Sequence, residues 1–147
     1  MLKPDLIKCL LKDSKIRTDI QVVASTYTNI SFNTLSKKLS LLNAIINKIL
    51  FKYYQKYPEM RVAFYCNHES VPNNTHSHIL LSIPNKYNNK INYILNLLKE
   101  KFLLLDDRID PIDPYNFYVD TNVKSEFKNT RYATKKYDED NYNFVVI

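Results

Sequence analysis

The chain has 147 residues, 45% of them hydrophobic and 24% charged, with a formal net charge of +6. That is one domain's length, and its apolar content is too high for a disordered chain. No apolar run reaches the roughly 18 residues of a membrane-spanning helix, and two cysteines, Cys9 and Cys66, make no disulfide framework or metal-type spacing.

Residues 4–12 (PDLIKCLLK) can form a short amphipathic helix, too short in its apolar core and lacking the cleavage site of a signal peptide. Residues 19–27 (DIQVVASTY) are rich in β-branched side chains and predict a strand. Leu35, Leu39, Leu42, Ile46, Ile49 and Tyr53 then recur at steps of three and four, giving a long helix that ends before Pro58. No acidic residue falls between Asp19 and Glu59, whereas Lys37, Lys38, Lys48, Lys52 and Lys56 do. They lie off the apolar stripe, as a solvated face does, and weakly suggest a polyanionic partner.

Residues 60–69 (MRVAFYCNHE) and 76–83 (HSHILLSI) predict two strands joined through Pro72-Asn73-Asn74. The sequence has no glycine, where about ten would be average, but it has 17 asparagines. Asparagine tolerates the left-handed backbone region best after glycine, so an Asn73-Asn74 turn is expected. Ile91, Ile94, Leu95, Leu98 and Phe102 mark a second helix, and residues 116–120 a strand after the break at Pro111 and Pro114. A third helix is expected over about residues 123–136, and the tail NYNFVVI reads as a last strand. The pattern is that of a single α+β domain with a mainly antiparallel sheet.

The chemistry concentrates in the hairpin. His76 and His78 are i and i+2 on a strand, so both imidazoles leave the same face about 6–7 Å apart, within reach of one metal ion. Ile79, Leu81 and Ile83 face the other way, as do Val62, Phe64 and Cys66 on the preceding strand. If those apolar sets share a face, paired residue numbers sum to an odd number. A turn at Asn73-Asn74 gives 147 and sets Glu69 opposite His78, on the histidine face. Two histidines and a carboxylate suit Mn²⁺ or Mg²⁺ with positions left for a substrate phosphate. His68 is the alternative third ligand if the loop is wider.

On the third predicted helix, Val123, Phe127, Thr130 and Thr134 form an inner stripe, and Lys124, Lys128, Tyr132, Lys135 and Lys136 share another face. Nearby cations favour the phenolate of Tyr132, a nucleophile competent toward phosphorus. Tyr137 is a rival, about 140° around the helix and without a lysine three residues later.

The segments NHESVPNNTHSHILLSIP and RYATKKY, in that order, resemble the HUH single-strand DNA endonucleases, in particular the small rolling-circle replication initiators. Those carry a His-hydrophobe-His strand, a third ligand on the neighbouring strand and a Tyr-x-x-Lys on a later helix. Ser77 departs from the hydrophobic middle position, and STYTNISF (25–32) stands where the family's first motif is expected. The resemblance covers about residues 20–140. It implies a ferredoxin-like or RRM-like antiparallel sheet flanked by helices, with no helicase domain in a chain ending at Ile147. By that resemblance Glu69, His76 and His78 hold Mn²⁺ or Mg²⁺, Tyr132 attacks, Lys135 assists, and Lys124, Lys128, Arg131 and Lys136 meet DNA. The implied partner is single-stranded DNA such as an origin hairpin, with a host helicase and polymerase and no membrane. The implied setting is the host cell interior, or the nucleus of a eukaryotic host. The alternatives are a single-tyrosine HUH transposase, a noncatalytic RRM-like binding module, or a metal-dependent phosphoesterase using the cluster Asp106, Asp107, Asp110 and Asp113.

Overall fold

The computed structural model describes residues 16–26, 29–72, 74–106, 113, 115–120 and 144–147. The predicted helices over 4–12 and 123–136 therefore lie outside the described residues. Among the described residues there are five strands: β1 (Ile16–Ser25), β2 (Ala63–Val71), β3 (Asn74–Pro84), β4 (Phe117–Val119) and β5 (Phe144–Val146). Two α-helices accompany them, α1 (Phe32–Leu50) and α2 (Ile91–Leu103). The spatial order is β4-β1-β3-β2-β5, and every neighbouring pair is antiparallel. The first four strands and two helices follow the ferredoxin-like path, two split β-α-β units interleaved in one sheet, with β5 added beside β2. This is the α+β antiparallel architecture expected from the sequence, and it is compatible with RRM-like and HUH sheets.

Both helices pack on one face of the sheet. Val22 and Ala24 of β1, Phe64 and Cys66 of β2, and Ile79, Leu81 and Ile83 of β3 meet Leu35, Leu39, Leu42 and Ile46 of α1 and Ile94, Leu98 and Phe102 of α2 in one buried cluster. Burial drives the Cys66 thiol pKa upward, so it remains protonated and inert. Ser31 caps α1, accepting a hydrogen bond from the Thr34 N–H at 3.1 Å.

The apolar stripe of α1 stops sooner than its periodicity suggests. Ile49 and Tyr53 are 45% and 55% exposed. The helix ends at Leu50, and the inward positions of its last turns are taken by Asn43 and Asn47, which bond the buried backbone of Val62. Of the predicted surface lysines, Lys38 is tied across to Asp106 at 3.1 Å. No described helix is long and apolar enough to cross a membrane.

Candidate metal centre

The β2–β3 hairpin pairs nine residues, from Ala63↔Ser82 to Val71↔Asn74. Each pair sums to 145, two less than the sequence register. The residues between Val71 and Asn74 are Pro72 and Asn73, and Asn74 is the first residue of β3. Asn74 therefore belongs to the ladder, with its Oδ1 3.1 Å from His76 Nδ1, and not to the turn expected at Asn73-Asn74. A slip of two residues preserves the parity, so every side chain keeps its expected face. Glu69 consequently sits opposite His76, and Asn67 opposite His78.

On the face away from the helices the three candidate ligands converge. Glu69 Oε2 lies 3.1 Å from His76 Nε2 and 3.4 Å from His78 Nε2. One ligand atom from each of the three falls within 4.8 Å of the others. Cis donors on an octahedral ion with bonds of about 2.1 Å stand roughly 3.0 Å apart. The Glu69–histidine edges therefore match what one small divalent cation requires. The side chains are 11–16% exposed, dry enough to strengthen a charge interaction while leaving an approach. A second contact orients His76: its Nδ1 is 3.1 Å from Asn74 Oδ1, leaving Nε2 toward Glu69. Ser25 of β1 pairs with His76, and Thr75 anchors the loop that follows. The Thr75 hydroxyl donates to Ile30 O and accepts from Ile30 N–H, both at 3.0 Å. The segment 25–32 thus begins beside the cluster, its described residues held against the start of β3.

His68, the alternative candidate, does not join this cluster. It points to the helix side, fully buried, with Nε2 2.8 Å from Ser36 Oγ and Nδ1 3.0 Å from Ser77 Oγ. Its ring also stands 5.6 Å from that of Phe32. This accounts for the serine between the two cluster histidines: Ser77 faces the core and satisfies a buried imidazole, which an apolar side chain would strand. Burial pushes the His68 pKa down to about 4. An unfolded histidine protonates near 6.5, so the unfolded state gains its proton first on acidification. The stability from neutral His68 is fully present above about pH 6.5 and is lost as pH falls toward 4, by up to about 3 kcal/mol. Urea unfolding between pH 7.5 and 4.5 should show this loss in wild type and a flatter profile in His68→Gln. Equal slopes would assign the acid sensitivity to other groups.

The proposed nucleophile Tyr132, its neighbour Lys135, the rival Tyr137, and Lys124, Lys128, Arg131 and Lys136 lie outside the described residues. The acidic alternative does not gather into a site among the described residues: Asp106 pairs with Lys38, and Asp113 accepts from the Tyr115 N–H at 2.8 Å. Asp107 and Asp110 lie outside the described residues. Sequence reasoning passed over Gln21 and Asn67, which flank His78 on the cluster face. Their signal was the same alternation that selected Glu69, applied to amides rather than to acids and imidazoles.

The fold and the site together define a ferredoxin-like α+β protein with a His₂-carboxylate cluster on the sheet face opposite α1 and α2. No family model, curated protein or solved structure matches the chain.

Proposed function

We propose that this protein nicks and rejoins single-stranded DNA in a divalent-metal-dependent reaction, through a 5′-phosphotyrosine at Tyr132, and that it initiates rolling-circle replication of a virus or plasmid. The observation that carries the reading is the convergence of Glu69, His76 and His78 on one point of a ferredoxin-like sheet. The order of the hairpin and the later Tyr-x-x-Lys, RYATKKY, supports it.

A cation bound there supplies Lewis-acid polarisation of a phosphodiester oxygen. Glu69 provides the negative charge that holds it on a chain whose net charge is positive, and the neutral imidazoles fix its position. The Tyr132 hydroxyl attacks phosphorus in line. The P–O3′ bond breaks, the phenol gives its proton to solvent, and the 3′ oxygen takes one up from solvent to leave as a hydroxyl. The 5′ phosphate stays on the tyrosine, which conserves the bond energy, so a later 3′ hydroxyl can reverse the step. Lys135 offsets the charge that develops on the phosphoryl oxygens. Lys124, Lys128, Arg131 and Lys136 contact the strand through its phosphates.

The test mixes the protein with Mn²⁺ and single-stranded oligonucleotides, including noncoding DNA of its source replicon, and reads a denaturing gel for a protein–DNA adduct. An adduct is expected in wild type and absent from Tyr132→Phe and His76→Ala, with thermal melts showing both variants folded. Binding without adduct or nicks, unchanged in both variants, would replace this reading with a noncatalytic binding module. Nicks that need His76 but not Tyr132 would leave a metal-dependent phosphoesterase.

A further inference from the structure

Asn67 is fully buried, yet neither its Oδ1 nor its Nδ2 has a hydrogen-bond partner. Buried carboxamides are almost always satisfied, and one that is not calls for a specific cause, such as an ion or a ligand. Strand alternation settles where it points. Cys66 and His68 on either side face the helices, so Asn67 faces the metal cluster, two residues before Glu69 and directly opposite His78. Paired residues on one face hold their Cβ atoms about 4.5–5.5 Å apart, which brings a carboxamide within reach of the His78 ring.

The other side of His78 repeats the pattern. Gln21 of β1 is also buried, with Nε2 3.5 Å from His78 Nδ1 and Oε1 without a partner. A half-turn of that carboxamide about its last bond brings Oε1 to Nδ1, where it accepts from an Nδ1–H. That tautomer leaves the lone pair of Nε2 directed at Glu69, where a cation needs it. Two buried amides from neighbouring strands thus bracket one imidazole, and their unpaired atoms make sense if something polar occupies the cluster.

We propose that Asn67 belongs to the cation site, resting on the metal reading above: its Oδ1 is a fourth protein donor beside Glu69, His76 and His78, and Gln21 is the positioning residue that fixes the His78 tautomer. The occupant is a divalent cation that accepts mixed nitrogen and oxygen ligands, such as Mn²⁺. The Asn67 Nδ2 then remains as a donor to an anionic oxygen held at the cation.

The experiment titrates Mn²⁺ into the full chain and follows loss of the free-ion EPR signal in wild type, Asn67→Leu, Asn67→Asp and His76→Ala, with thermal melts of each metal-free protein. Asn67→Leu is expected to weaken binding at least tenfold while melting no lower than wild type, because it removes unpaired polar atoms from a buried position. Asn67→Asp keeps the shape, adds a charged oxygen and is expected to tighten binding severalfold. Mn²⁺ affinity within twofold of wild type in Asn67→Leu, with binding lost in His76→Ala, overturns the role of Asn67 and leaves the metal centre standing. Should Asn67→Leu fail to fold, unchanged or weaker binding by Asn67→Asp overturns it equally. Wild-type affinity in His76→Ala removes the metal centre itself.

Discussion

Replacing Glu69 with alanine is expected to weaken Mn²⁺ binding at least 100-fold while leaving the protein folded. Of the three clustered residues only Glu69 carries negative charge, and one of its oxygens stands within 3.4 Å of both imidazoles. Without it, two neutral rings would hold a doubly charged ion at a poorly hydrated place on a chain of net charge +6. A 100-fold loss corresponds to about 2.7 kcal/mol. That equals the stabilisation a ligand confers on the folded state at one hundred times its Kd. For a chain of this length, each kcal/mol moves the melting temperature by roughly 2–4 °C. Saturating Mn²⁺ should therefore raise the wild-type Tm by about 5–10 °C and the Glu69→Ala Tm hardly at all. Glu69→Gln separates charge from shape: it retains an oxygen donor and should fall between the two. A Glu69→Ala protein that binds and melts like wild type would take the carboxylate out of the site.

That the triad was legible in the sequence, although its turn was not, follows from the geometry of strands. The Val71↔Asn74 pairing shifts the ladder by two residues from the register of an Asn73-Asn74 turn, and a period of two is blind to such a shift. Face is set by parity, so Glu69, His76 and His78 were selected together, with only the facing pairs exchanged. The same parity excludes His68, whose number puts it with Cys66 and Phe64 on the helix side. The core of the sheet and of α2 was equally readable, since apolar periodicity is the signal that burial leaves. Buried amides leave no such signal. Asn43, Asn47, Asn67 and Gln21 look like surface residues in a chain with 17 asparagines. Only the positions of backbone groups from distant segments reveal that two of them are clamps and two flank a histidine. Ser77 is similar: as a departure from an apolar position it had no rationale until His68 was seen across the pair.

Asn47→Ala is expected to destabilise the fold by about 3–5 kcal/mol, a large part of the 5–15 kcal/mol that holds a domain together. The Asn47 carboxamide joins α1 to the entrance of β2. Its Oδ1 accepts from the Val62 N–H at 2.8 Å, and its Nδ2 lies 2.9 Å from Val62 O and 3.0 Å from Asn43 O. Val62 is fully buried, so truncating Asn47 leaves its N–H without water to turn to. That orphaned donor costs about 1–3 kcal/mol, and the lost donor bonds and the void left behind add to it. Asn43 holds only the carbonyl side of Val62: its Nδ2 donates to Val62 O at 3.0 Å, while its Oδ1 accepts from Arg61 Nη2 and from Asn47 Nδ2, each at 3.0 Å. Asn47→Leu fills the void and still strands the backbone, so it should recover only the smaller part. The exposed Asn96 on α2 supplies the control, where alanine should change stability by less than about 0.5 kcal/mol. Urea unfolding measures all three, and a loss under 1 kcal/mol in Asn47→Ala would mean that the clamp is not what fixes this seam. Val62 and Glu69 are seven residues apart, about 23 Å along an extended strand. The clamp variant, while folded, should therefore bind Mn²⁺ as wild type does, separating what holds β2 in place from what β2 presents.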